Sequence, residues 1–149
     1  MNINYKPADE KDIPLLLDLM KEFYIIEHLP YNVQVITSGL EKLFASSVYG
    51  KVWLIMDGEN PAGYIAVTYG YSFEYHGVDA LVDEFYIREQ YRHQGIGKNT
   101  LKYIESFLAG KGIKAFHLEV DHTNTVAQEV YRKYGFKDHG RYLLTKWIA

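Results

Sequence analysis

The chain has 149 residues, 48% apolar and 23% charged, with a formal charge of −3 at neutral pH. That length supports one compact domain with a real core, and the composition excludes a disordered chain. The acidic balance argues against a general nucleic-acid binder, and the absence of cysteine removes disulfides, thiolate nucleophiles and cysteine metal sites.

Residues 2–6 (NINYK) alternate and predict a first strand. An acid-rich turn, Pro14, and Ile13, Leu16, Leu17, Met20, Phe23 and Tyr24 at helical spacing predict a helix over 8–26. The early acids, with no basic region leading into an apolar run, give no expectation of a signal peptide. No apolar run approaches the roughly 20 residues that span a bilayer, so a cytoplasmic protein without membrane association is expected. HLPYN reads as a loop, and residues 33–46 as a second, shorter helix. Residues 51–77 then change period: two β-rich runs joined by DGENPAG predict a hairpin. ALVDEFYI (80–87) reads as a strand, residues 95–109 as a helix ended by Gly110 and Gly112, and KAFHLEV (114–120) as another strand. A helix over 123–135, stopped by Gly135, and a last strand over 141–148 complete a single domain spanning 1–149, with no linker or repeat.

Charge is unevenly spread along this order. Val52 to Ile87 holds no lysine or arginine but six acids (Asp57, Glu59, Glu74, Asp79, Asp83 and Glu84). Arg88 to Lys114 then holds six basic residues against Glu89 and Glu105. The pattern fits either a solvated surface or a site with a cation-binding end and an anion-binding end. The 14 tyrosines suit ordinary half-buried packing, and equally a cleft with apolar walls and polar tips.

At the charge switch lies RHQGIGK (92–98), between a strand and a helix. A helix N-terminus offers unpaired N–H groups and a positive dipole end, and glycine lets backbone come close to a phosphate. Gly-x-Gly alone leaves a plain strand–helix turn equally open, and neither the dinucleotide-binding fingerprint nor a Walker loop is present.

DEFYIREQYRHQGIGKNTL followed by HLEVDHTNTVAQEVYRKYGF closely resembles the GCN5-related N-acetyltransferase (GNAT) family, over essentially the whole chain. The motifs that carry it are Arg92-x-x-Gly95-x-Gly97 after an apolar strand and Asn124 with Tyr131-x-x-x-Gly135-Phe136. The resemblance implies an α/β (α+β) fold: a mixed, mostly antiparallel sheet, splayed between strands 4 and 5 and flanked by about four helices. It implies acetyl-coenzyme A as co-substrate, and no metal. Its pyrophosphate falls to Arg92, His93, Gln94, Gly95, Ile96, Gly97 and Lys98, and its pantetheine arm to backbone near Phe85, Tyr86 and Ile87. Asn124 would bond pantetheine or simply cap its helix.

The reaction so implied is direct acetyl transfer to an amine, with Tyr131 protonating the departing thiolate unless it serves only in packing. Asp83 and Glu84 are the candidate bases, and strand alternation sets them on opposite faces unless a bulge intervenes. Glu119 is a weaker candidate. VDEFYI looks like the polyamine (spermidine/spermine) N-acetyltransferase branch. Glu22, Tyr24, Glu27, His28, Tyr31 and Glu74 are the expected substrate-binding residues, because acids among aromatics suit a cationic amine. The partner expected is therefore a small polyamine-, aminoglycoside- or lysine-like amine, and the exposed aromatics leave room for a homodimer. Peptide N-terminal or lysine acetylation and a non-catalytic acyl-coenzyme A-binding module are the alternatives. The His117-x-Glu119-x-Asp121-His122 pattern raises a metal hydrolase as a third, without the paired histidines that such sites require.

Overall fold

The computed structural model describes residues 1–149, which form two compact units, Met1–Leu118 and Glu119–Ala149. In the first, the alternating NINYK segment becomes β1 (Ile3–Pro7). A single tight helical turn at 10–12 follows, closed by a reciprocal cap. Asp9 accepts from the Lys11 amide at 2.9 Å, and Asp12 accepts from the Asp9 amide at 3.0 Å and from Lys6 Nζ at 2.9 Å. It leads into α1 (Ile13–Ile26), with Pro14 in its first turn, where a missing N–H costs nothing. Asn32 accepts from the Val35 amide at 3.1 Å and starts α2 (Val33–Ala45).

The hairpin of β2 (Gly50–Asp57) and β3 (Asn60–Ser72) is tighter than DGENPAG suggests. Gly58 takes φ of 60°, a value that suits glycine, so the loop shrinks to Gly58-Glu59 and Asn60–Gly63 joins β3. β4 (Gly77–Ile87), α3 (Ile96–Gly110) and β5 (Phe116–Leu118) follow. β5 is shorter at both ends than the expected 114–120.

The sheet order is β1-β2-β3-β4-β5, antiparallel throughout except for the parallel β4–β5 pair, which α3 connects. That last pair spans only Ala80–Val82 against Phe116–Leu118. Beyond Val82, residues Asp83–Ile87 have no strand partner on that side, and this is the expected splay.

Strand alternation divides the core between the two faces. Leu16, Leu19 and Met20 of α1 and Leu40 of α2 bury Val52, Leu54, Tyr64, Ala66 and Tyr86. Trp53, of opposite parity, is fully buried and meets Phe107 and Tyr103 of α3, with ring centroids 4.9 and 6.3 Å away. Each such side chain contributes about 1.5–3 kcal/mol.

The second unit contains α4 (Thr125–Lys133) and no strand. The expected strand over 141–148 is therefore corrected. RYLLTKWI has the β-branched and aromatic content of a strand, but no neighbouring strand supplies the hydrogen bonds. Tyr142, Leu143, Leu144, Trp147 and Ile148 stay exposed, from 76% at Leu143 to 96% at Ile148.

Candidate active site

The central feature is a one-residue irregularity in β4. Ala66 pairs with Glu84 and Val67 with Val82, so Asp83 is left over as a β-bulge. The sequence presented Asp83 and Glu84 as alternating residues, and the bulge breaks that alternation just where β5 departs. The Asp83 charge bears on the ionisation of Glu84. Burial, offset by hydrogen bonds from Tyr24 and Tyr64 and reinforced by the Asp83 charge, holds the Glu84 carboxyl above the ordinary carboxylate range. Burial likewise pushes Asp83 up, although the residue keeps an open face toward solvent.

Glu84 lies on the α1 face, half-buried, with a phenol on each oxygen. Tyr24 of α1 donates to Oε2 at 2.5 Å, and Tyr64 of β3 donates to Oε1 at 2.9 Å. Burial first, and the neighbouring Glu84, push both phenols far above their usual pKa, so both remain donors at neutral pH. Tyr31 stands beside Tyr24, with ring centroids 6.0 Å apart, and its own hydroxyl donates to the Leu17 carbonyl at 3.1 Å.

Sequence reasoning missed Tyr64, which sits within the apolar run of β3. The available signal was a polar-tipped ring at a core position, which needs a partner for its hydroxyl.

Glu22, an expected substrate-binding residue, is paired with Arg88 and Tyr86 in the structure. Its carboxylate accepts from Arg88 Nε at 3.2 Å and Nη2 at 2.8 Å, and from the Tyr86 hydroxyl at 3.3 Å. Arg88 Nη1 donates to the Pro61 carbonyl at 3.0 Å, so the pair ties α1 to the end of β4. Glu27 and His28 are exposed at the end of α1, and no hydrogen bond joins them to the Glu84 cluster. Glu74 lies exposed in the turn between β3 and β4.

Following β4 onward leads to the glycine loop. Phe85 and Ile87 pack on the α3 face with Ile96, and Gly97 faces the same two side chains. His93 and Gly95 take φ of 61° and 81°, and this double left-handed turn swings the chain into α3. The N-cap of α3 is Gly95, which has no side chain to bond the amides of the first turn. Arg92 is pinned to the strand end: its Nε donates to the Ile87 carbonyl at 2.8 Å, and its guanidinium carbon lies 5.8 Å from the Tyr86 ring centroid. Gln94 turns back to the Gln90 carbonyl at 2.9 Å. In β3, a Cβ at Gly63 would run into the Tyr86 carbonyl oxygen, so glycine is required for β3 and β4 to pair at this end.

In the second unit, Asn124 accepts from the Ala127 amide at 3.1 Å and is the N-cap of α4. The Tyr131-to-Phe136 motif is the helix stop. Gly135 takes φ of 96°, the Phe136 amide donates to the Tyr131 carbonyl at 3.1 Å, and the Gly135 amide donates to Arg132 at 3.0 Å. The Tyr131 and Phe136 rings meet edge to face at 5.9 Å. Tyr131 is half-buried, and burial raises its phenol above the usual value.

No group of three or more His, Cys, Asp or Glu side chains is placed to hold a metal ion, and His117 Nε2 lies 2.8 Å from Asp79 Oδ2. No helix is long and apolar enough to cross a membrane.

A family model described as acetyltransferase (GNAT) family matches residues 13–136. The pig (Sus scrofa) thialysine N-epsilon-acetyltransferase is 29% identical over 143 residues, covering 89% of this chain and 83% of that protein. An integron cassette protein from the Cole Harbour Salt Marsh mobile metagenome is 30% identical, with a TM-score of 0.86 over 97% of this chain and 90% of its own. A Clostridium acetobutylicum protein described as a predicted acetyltransferase with acetyl-CoA has the same fold at 22% identity, with a TM-score of 0.81 over 97% of this chain and 96% of its own.

Proposed function

The chain belongs to the acetyltransferase (GNAT) family, and from that premise we propose that it transfers the acetyl group of acetyl-coenzyme A to a small cationic primary amine of lysine type. One observation carries the reading: the strand that bears Asp83 and Glu84 ends at Ile87, which packs on Ile96 and faces Gly97, so its end lies against the first turn of α3. Glu84 and Ile87 are three residues apart, about 10 Å along a strand. A cation site and an anion site thus lie at the two ends of one short, half-unpaired segment. The lysine-like preference draws support from the thialysine-acetylating relative.

The residues fit coenzyme A on their own chemistry. The Ile96, Gly97 and Lys98 amides suit a pyrophosphate, and the β5-side edge of Asp83–Ile87 suits the amides of a pantetheine arm. Bound there, acetyl-coenzyme A would supply an activated thioester carbonyl. The chain's own groups do the rest. Glu84 holds the ammonium, and Asp83, the bulged carboxylate, takes a proton from it to free the attacking lone pair. Backbone N–H groups on the unpaired edge of β4 stabilise developing charge on the carbonyl oxygen. Tyr131, kept protonated by burial, would give its proton to the departing sulfur and be re-protonated by the second proton that the nitrogen loses on becoming an amide. Glu22, engaged by Arg88, anchors the wall of the site. The whole of 1–149 acts as one catalytic domain, because the family match runs across Leu118.

The reading extends to a second copy of the chain. The five exposed apolar residues of 142–148, Tyr142, Leu143, Leu144, Trp147 and Ile148, form the kind of contiguous apolar surface that a second copy would cover. Sedimentation of the wild type should therefore show a dimer.

Thiol release from acetyl-coenzyme A over a panel of lysine analogues, polyamines, aminoglycosides and peptide N-termini tests the main reading. Turnover confined to the cationic small amines is expected. Turnover with a neutral peptide N-terminus alone would sink the substrate assignment, and no thiol release from any amine would favour a binding module.

A further inference from the structure

We propose that Tyr64 is a positioning residue for Glu84: its buried hydroxyl fixes one carboxylate oxygen permanently, while Tyr24 on the other oxygen gives up its place to the substrate ammonium. This rests on the amine reading above and assigns the two phenols different roles within it.

The asymmetry is in the surroundings. Tyr64 is fully buried between Phe23 and Tyr86, with ring centroids 6.3 Å from each, and has no room to swing away. Its hydroxyl has one hydrogen-bond partner, Glu84 Oε1. Breaking that bond would strand a buried donor, so it persists. Tyr24 is half-buried in the last turns of α1, beside Tyr31 and the exposed end of the helix. Its hydroxyl has solvent to turn to when released.

Both a phenol O–H and an ammonium N–H make charge-assisted bonds to a carboxylate, but only the ammonium also brings the positive charge that attracts it. A cationic amine therefore displaces Tyr24 from Oε2 where a neutral donor does not. The site discriminates by charge before chemistry begins, and the amine settles beside Asp83. The charged and titratable groups that bear on Glu84 come from three elements: Tyr24 from α1, Tyr64 from β3 and Asp83 from β4. Donation from the two phenols favours the ionised carboxyl, whereas burial and the Asp83 charge oppose ionisation.

The test is a carbon-13 NMR titration of labelled glutamate carboxyls in the full chain, with Glu84→Gln identifying the Glu84 signal. Tyr64→Phe should raise the Glu84 midpoint by about one pH unit, the size expected for losing one hydrogen bond to a charged group. Tyr24→Phe should raise it as well, and saturating amine should abolish the difference between Tyr24→Phe and wild type but not that between Tyr64→Phe and wild type. Kinetically, Tyr64→Phe should raise KM for the amine about tenfold, and this effect should vanish in a Glu84→Gln background. An unmoved midpoint in Tyr64→Phe, with circular dichroism unchanged, overturns the proposal; so does a Tyr64→Phe effect that persists in full without Glu84. If Tyr64→Phe does not fold, the response of Tyr24→Phe to amine decides alone: a difference that survives saturation overturns the exchange. A moved midpoint with no thiol release from any amine would sink the enzymatic reading and leave the positioning of Glu84 intact.

Discussion

Met1–Leu118 and Glu119–Ala149 are built by different means. The first buries Trp53, Tyr64, Leu16 and Ile65 completely, between a sheet and helices on both of its faces. The second has no buried residue at all, although it carries Val126, Tyr131, Leu144 and Trp147. Its order comes from local backbone devices: the Asn124 cap and the Gly135 stop on α4. A sequence motif can therefore be strong for reasons of backbone economy as well as chemistry. Tyr131-x-x-x-Gly135-Phe136 closes a helix whatever else Tyr131 does. Asp83 and Glu84, in contrast, occupy a bulge that the sheet would pair more fully without, and such irregularities tend to mark functional positions.

The sharpest way to break this contrast is through catalysis. Asp83→Asn should lower kcat by about 10²- to 10⁴-fold, the usual worth of a positioned general base, with coenzyme A affinity unchanged. The base works ionised, and burial raises the Asp83 carboxyl, so the acid limb of kcat/KM should lie above the ordinary carboxylate range. A kcat within threefold of wild type would move the chemistry out of the bulge. Next in size is Gly95→Val. At φ of 81° a β-branched side chain is strained by about 1–3 kcal/mol. Calorimetry should show the loss in thermal stability, and titration a weaker affinity for coenzyme A. Asn124→Ala should cost about 1 kcal/mol, confined to α4. Hydrogen exchange should speed up at Ala127 and its neighbours and stay unchanged in β2 and β3. Equal acceleration in both units would contradict their separate construction.

The part of the molecule that was legible in the sequence follows the same division. α1, α3 and β4 announced themselves because a buried stripe or alternating face leaves a period in the chain. The turn into α3 was legible because Gly95 occupies a left-handed position at a strand–helix junction. The bulge was not, because one extra residue leaves a mark only in the register with β3, and register is a property of two strands. Tyr64 and the Glu22–Arg88 clamp were hidden for a related reason: their meaning lies in partners 20 and 66 positions away. The 141–148 segment shows the limit from the other side. Its aromatic and apolar content suits a strand, yet a strand needs an edge to pair with, and the three residues of β5 bond only to β4.

That segment supplies the smallest effect and the most exacting check. Trp147 is 88% exposed, so Trp147→Ser removes almost no burial from a single chain. In dilute protein the unfolding free energy should change by less than about 0.5 kcal/mol, as for a surface substitution. If a second copy covers Leu144, Trp147 and Ile148, concentration alters the outcome, because association stabilises whatever it binds by mass action. The wild-type melting temperature should then climb as protein is concentrated, while that of Trp147→Ser stays flat. Parallel behaviour of the two proteins across a hundredfold range would show that these side chains are not covered by another copy, and that Glu119–Ala149 holds its fold by its caps alone.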